Sequence, residues 1–264
     1  MPNLSLIQGI LFDLDGVLYV DSNVIEGAVE AIAEIKRRGY RCRFITNTST
    51  LSAASLHDKI TRLGFDIEER EIVSATRATL IYLEQFGDPV CHLLLADDVR
   101  RDFDRFRQSD TQADFVIVGD IGDRWSYPVL NRVFRLLTGG ARLIAVHKNR
   151  FWQTEQGLQM DIGGFISALE YASGQQATII GKPSPDFFRA ALTELELPPE
   201  CVAIVGDDID SDIGGGQNAG LTGILVKTGK FRKAYADARR VMPDLIISSV
   251  AELPARLPIK VAGS

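Results

Sequence analysis

Apolar positions along the chain fall into short continuous runs that alternate with segments spaced for helices. Ile10-Leu11-Phe12 drives into Asp13-Leu14-Asp15-Gly16, and Val17-Leu18 follows. A continuous apolar run ended by a turn signal reads as a buried strand, most often central in a parallel sheet. Residues 24–38 then read as a helix, with Ala28, Ile32 and Ile35 on one face, Lys36-Arg37-Arg38 in the last turn and Gly39 as the stop. A strand over 41–45 runs into Thr46-Asn47-Thr48-Ser49-Thr50, and a helix over 52–63 stops at Gly64. The late part repeats this grammar: strands over 177–180, 202–205, 222–226 and 245–247, helices over 185–195 and 250–257, and a glycine-rich helical stretch over 213–219. Strand–helix alternation of this kind predicts an α/β fold with a Rossmann-like parallel sheet and right-handed crossovers.

The middle of the chain has its own signals. Strands are expected over 93–96, 115–118 and 143–145, and helices over 128–137 and 165–172. About 100 residues is enough for a small unit with its own core. The expected organisation is therefore a core built from 1–78 and 179–264, with an inserted α/β unit over 79–178.

Composition narrows the function without naming it. The 264 residues are 45% hydrophobic and 24% charged, and 29 Lys+Arg against 35 Asp+Glu give a net charge of −6. Nothing there advertises nucleic acid as a partner. Cys42, Cys91 and Cys201 are far apart and odd in number, which suits a reducing compartment better than a disulfide framework or a CxxC metal site. No membrane-length apolar run and no secretory signal are read from the sequence, so a soluble cytoplasmic protein is expected.

Candidate chemistry sits where expected strands end, the place where open α/β sheets bind ligands. Asp13 and Asp15 close the first strand; Asp-Gly alone could be a turn, but that leaves Asp13 idle inside the apolar run. Thr46-Asn47 offers a hydroxyl, an amide and backbone N–H groups to phosphate oxygens. Gly181-Lys182-Pro183 fixes a lysine just after a strand. Gly206-Asp207-Asp208-Ile209-Asp210-Ser211-Asp212 crowds four carboxylates into six residues. Such carboxylates repel unless a cation neutralises them. Hard oxygen ligands with no nearby His or Cys favour Mg²⁺ over zinc or iron. Two decoys fail on spacing. An EF-hand loop from Asp208 would have its glycine one residue late and Ala219 where its closing glutamate belongs. Gly214-Gly215-Gly216-Gln217-Asn218-Ala219 fits a dinucleotide fingerprint, but does not directly follow a strand, and close helix packing explains its glycines.

Taken in order, the four segments resemble the four motifs of the haloacid dehalogenase (HAD) superfamily of phosphatases. Val116-Ile117-Val118-Gly119, Tyr127 with Leu130-Asn131, and 140–147 are similar to the cap of its NagD-like subfamily, where the cap lies between the second and third motifs. The resemblance covers nearly the whole chain. It implies a phosphatase acting through an aspartyl-phosphate on Asp13, with Asp15 as proton shuttle. It implies Mg²⁺ held by Asp13, the Asp15 carbonyl and Asp207, supported by Asp208 or Asp212, and a phosphoryl group bound by Asp13, Asp15, Thr46, Asn47 and Lys182. It also implies a small phosphorylated substrate, a cap that closes over the core, and pairing of two copies through that cap. Asn149, Arg150, Trp152 and Asp161 fall in the cap's substrate loop, though each is equally readable as an ordinary surface residue. His147 is expected to be structural, and His57 and His92 have no motif around them. Two other readings use the same residues: a phosphotransferase or mutase, and a phosphate-binding regulator without turnover.

Overall fold

The computed structural model describes residues 4–154 and 157–258. Six parallel strands form one sheet, in the order Leu245–Ile247, Thr222–Val226, Val202–Gly206, Gly9–Asp13, Arg41–Thr46 and Ile72–Ser74. The opening strand is buried at every position and lies at the centre of the sheet. Register sets Phe12 beside Phe44 on one side and Val205 on the other. The two phenyl rings stack at 5.6 Å. That register brings Asp13, Thr46 and Gly206 to the carboxyl ends of three adjacent strands. A second sheet of five strands runs in the order Thr178–Ile179, Arg142–Ala145, Phe115–Val118, Val90–Leu94 and Arg107–Gln108.

Most expected elements form, and the differences have local causes. The first helix runs only over Ala28–Arg37, because Asn23–Val24 pairs back onto Tyr19–Val20 as a small hairpin turning at Asp21, whose φ is 53°. The strand expected over 93–96 begins at Val90 and ends at Leu94. Cys91 and His92 hid its start, yet both are buried, and the His92 ring bonds the Ser109 carbonyl. The segment 72–84 carried no expectation; it is a strand, Ile72–Ser74, and a helix, Ala75–Glu84, capped by Ser74. Phe151–Thr154 and Gly157–Met160 form an antiparallel hairpin whose apolar residues are largely exposed, which defeats a pattern search built on burial.

The strand expected over 177–180 reduces to Thr178–Ile179 and belongs to the second sheet, beside Arg142–Ala145, rather than to the core sheet. Its pairing continues as the Ile180 N–H bonds Ala145 and the Gly181 N–H bonds Val146. The second sheet therefore delivers Lys182. The glycine run after Asp212 packs as expected: a side chain at Gly215 would strike Phe188 and Pro183, and one at Gly216 would strike Ile204. Among the described residues, no helix is long and apolar enough to cross a membrane.

Candidate active site

An open cavity of about 170 Å³ lies over the carboxyl ends of the core strands. Its floor is Asp13, 6% exposed, at the end of the central strand. Lys182 Nζ lies 2.6 Å from Asp13 Oδ1 and 2.7 Å from Asp212 Oδ1. Burial first, then Asp212, raises the Asp13 carboxyl to about 7, with Lys182 pulling the other way. For Lys182, burial opposes the charge, but Asp13 and Asp212 outweigh it and hold the ammonium above its ordinary range. The lysine is the fixed charge of this cluster.

Asn47 sets where that lysine enters. Its Oδ1 accepts the Lys182 N–H at 2.9 Å and its Nδ2 donates to the Lys182 carbonyl at 2.9 Å. A side chain at Gly181 would collide with Asn47 Oδ1, so the clamp requires glycine there. Asn47 Nδ2 also reaches Asn149 Oδ1 at 3.2 Å. Thr46 is buried, and its Oγ1 accepts the Thr48 N–H at 2.9 Å. The Thr48 hydroxyl donates to Asp15 Oδ2 at 2.7 Å, fixing a half-buried carboxyl over the floor.

The acidic run divides by role. Asp13, Asp207 and Asp212 are buried and bring carboxylate oxygens within 4.8 Å of one another. Asp208 stays outside that group: its Oδ1 accepts the N–H groups of Asp210 and Ser211 and so caps a π-helical turn, Ile209–Gly214. Burial would raise the Asp208 carboxyl, but Lys230 and those two N–H groups hold it below its usual value. The turn aims Asp212 back under Gly206, where any side chain would occupy the space of the Asp212 carboxyl. Asp210 is spent on the Tyr235 hydroxyl and on Arg239 at 3.2 Å.

Asp207 is wedged between Gly16 and Gly229, both at positive φ (87° and 55°), and a Cβ on either would overlap its Oδ2. The Lys230 N–H donates to that oxygen at 2.6 Å. The other oxygen, Oδ1, is buried without a hydrogen-bond partner. Burial lifts this carboxyl well above the ordinary range, against the pull of Lys230. An orphaned carboxylate oxygen beside two more buried carboxylates suits a hard divalent cation.

The cavity takes in Asn149, Trp152 and Asp161 but not Arg150, which bonds the Tyr235 hydroxyl. His147 also lines it. Burial lowers the His147 pKa, opposed by Asp161, and its Nε2 lies 3.4 Å from the Ser49 hydroxyl. His57 bonds the Ile67 carbonyl, away from the cavity. Thr48 and Lys230 were missed as site residues. Thr48 lies inside the Thr46-Asn47-Thr48 stretch, but its pairing with Asp15 is a long-range contact that local sequence does not show.

Two family models match this chain: the haloacid dehalogenase-like hydrolase model over residues 10–106, and an HAD-hydrolase-like model over 179–253. Haloacid dehalogenase-like hydrolase domain-containing protein 2 of Bos taurus is 40% identical over 94% of this chain and 95% of its own length. The chain belongs to the haloacid dehalogenase-like hydrolases. Phospholysine phosphohistidine inorganic pyrophosphate phosphatase of Rattus norvegicus is 39% identical over 94% of this chain and 93% of its own. Among solved structures, the 4-nitrophenylphosphatase of Thermotoga maritima superposes with a TM-score of 0.88 at 28% identity, over 96% of this chain and 98% of that one. Within the hydrolase family, this chain is an enzyme of the phosphatase class.

Proposed function

We propose that this hydrolase releases inorganic phosphate from a small phosphorylated substrate, through a phosphoryl group carried on Asp13, with Mg²⁺ as cofactor. The observation that carries the reading is a buried carboxylate at a strand end, 2.6 Å from a lysine, with a second carboxyl two residues on. Mg²⁺ would be held by Asp13, the Asp15 carbonyl and Asp207, with Asp212 rather than Asp208 supporting them. When bound, it neutralises charge between carboxylate and phosphate, which otherwise repel.

The chain's own residues divide the remaining work. Lys182, Thr46 and the backbone beyond it would cradle the phosphoryl oxygens, with Asn47 holding Lys182 in place. An Asp13 oxygen bonds to phosphorus as the ester P–O bond breaks, and Asp15 protonates the departing oxygen. Water then gives a proton to Asp15 and attacks phosphorus, releasing phosphate and restoring the Asp13 carboxylate. Residues 79–178 would act as a cap that narrows access and chooses the substrate. Free, buried Cys42 and Cys91 suit the cytoplasm. Two copies would pair through the cap.

Release of phosphate from 4-nitrophenyl phosphate with Mg²⁺ tests the reading. Asp13→Asn is expected to lower kcat at least about a thousandfold with an unchanged circular-dichroism spectrum. Substantial turnover by that variant would remove Asp13 as nucleophile.

A further inference from the structure

The cavity over Asp13 is lined by six aspartates, Asp13, Asp15, Asp21, Asp120, Asp161 and Asp207, yet it also holds one cationic side chain that the transfer of a phosphoryl group does not use. Three lysines line it: Lys59, Lys182 and Lys230. Lys182 is spent between Asp13 and Asp212. Lys230 is spent on the acidic run, its N–H on Asp207 and its ammonium 3.8 Å from Asp208. Lys59 makes no ion pair among the described residues. Its ammonium lies instead 4.1 Å from the centroid of the Tyr19 ring.

That placement is built. Lys59 belongs to the Ala53–Arg62 helix, which buries Leu56 and Ile60 and leaves Lys59 half-buried at the cavity wall. Tyr19 is fully buried, and its carbonyl accepts the Gly16 N–H at 2.6 Å, which ties the ring to the segment carrying Asp15. An aromatic face holds an ammonium without neutralising it and leaves its N–H groups free to donate. Asp15, whose carboxyl would serve the leaving oxygen, belongs to the segment on which Lys59 rests. A cation there meets the departing part of a substrate rather than the phosphoryl group being transferred.

We propose that Lys59 determines specificity by binding a second negative group on the leaving-group side, a carboxylate or a second phosphate, so that the enzyme prefers phosphomonoesters whose leaving group carries its own anionic group. This rests on phosphoryl transfer at Asp13 as given above.

Four substrates with one three-carbon leaving group test it: propyl phosphate, 3-aminopropyl phosphate, 3-(phosphonooxy)propanoate and propane-1,3-diyl bisphosphate. With Mg²⁺, the wild-type enzyme is expected to show kcat/KM about tenfold higher for an anionic member than for propyl phosphate, mainly through KM. The better of the two anions tells carboxylate from phosphate. Lys59→Met keeps the stem over Tyr19 and should bring that ratio near one, while Lys59→Arg should preserve it. Each ratio is internal to one enzyme sample, so a misfolded fraction cancels. A wild-type ratio near one, a preference for the aminopropyl ester, or an unchanged ratio in Lys59→Met each overturns the role of Lys59 alone. Absence of phosphate release from all four by the wild-type enzyme overturns the phosphatase reading, and this proposal with it.

Discussion

Asp207 shows how narrowly one residue can be held. Its carboxyl fits only because Gly16 and Gly229 present bare backbone to it, each in the left-handed region that other residues enter at a cost of about 1 kcal/mol or more. The Lys230 N–H fixes one oxygen and leaves the other turned inward with nothing to bond. A methyl group at position 229 therefore has two effects: it strains the backbone and pushes the carboxyl off its position. Gly229→Ala is expected to weaken Mg²⁺ binding at least about tenfold, in the range seen when residues orienting a metal ligand are disturbed. Calorimetric titration of the metal reads this directly, and an unchanged affinity would show that Asp207 is not held through this glycine pair.

At the scale of elements, what burial dictates was readable and what exposure or partner choice dictates was not. The central strand into Asp13, the Val202–Gly206 strand into Asp207 and the Pro185–Leu195 helix follow from apolar runs and end signals. The hairpin of Phe151–Thr154 and Gly157–Met160 exposes Trp152, Leu158 and Met160, so these apolar side chains mark no core-facing stripe. Nor could Thr178–Ile179 be assigned to the second sheet, because pairing with Arg142–Ala145 is a long-range choice absent from local pattern. The motif residues were legible because each stands at a strand end. Lys59 was not, because a lysine at a helical position looks like any other solvated one. His147, expected to be structural, follows the Arg142–Ala145 strand and is buried beside Ser49 and Asp161. Its folded pKa lies below the ordinary 6.5 because burial disfavours the charged ring. Below 6.5 the unfolded chain takes a proton that the folded one refuses. The stability tied to a neutral ring is thus complete above that pH and falls below it, by up to about 1.4 kcal/mol per pH unit. The melting-temperature difference between wild type and His147→Asn is expected to shrink from pH 8 to pH 5.5; a constant difference would mean that His147 does not stay neutral in the fold.

For the molecule as a whole, the two sheets are not merely tethered. One buried cluster takes Leu11, Ile45 and Val73 from the core sheet together with Leu93, Ile117 and Ile144 from the second. The Ala75–Glu84 helix joins the two sheets through that cluster, contributing Ala75 and Leu83. Polar contacts repeat the connection: the Asp120 N–H bonds Ser49 Oγ at 3.0 Å, and Asn47 reaches Asn149. The site depends on the same join, since Lys182 leaves the edge of the second sheet and enters between carboxylates of the first. Losing either sheet would expose apolar surface on the other and release a buried lysine from its two partners. Chains of this length commonly unfold in separable parts, so the prediction is specific: one heat-unfolding transition, with calorimetric and van't Hoff enthalpies equal. Saturating Mg²⁺ should raise that single transition by about 5–10 °C when present at about a hundred times its dissociation constant. Two resolved transitions, with only one responding to the metal, would show that the shared cluster does not couple the sheets. A single transition moving as a unit would mean that the shared cluster couples the sheet that delivers Lys182 to the sheet that carries Asp13.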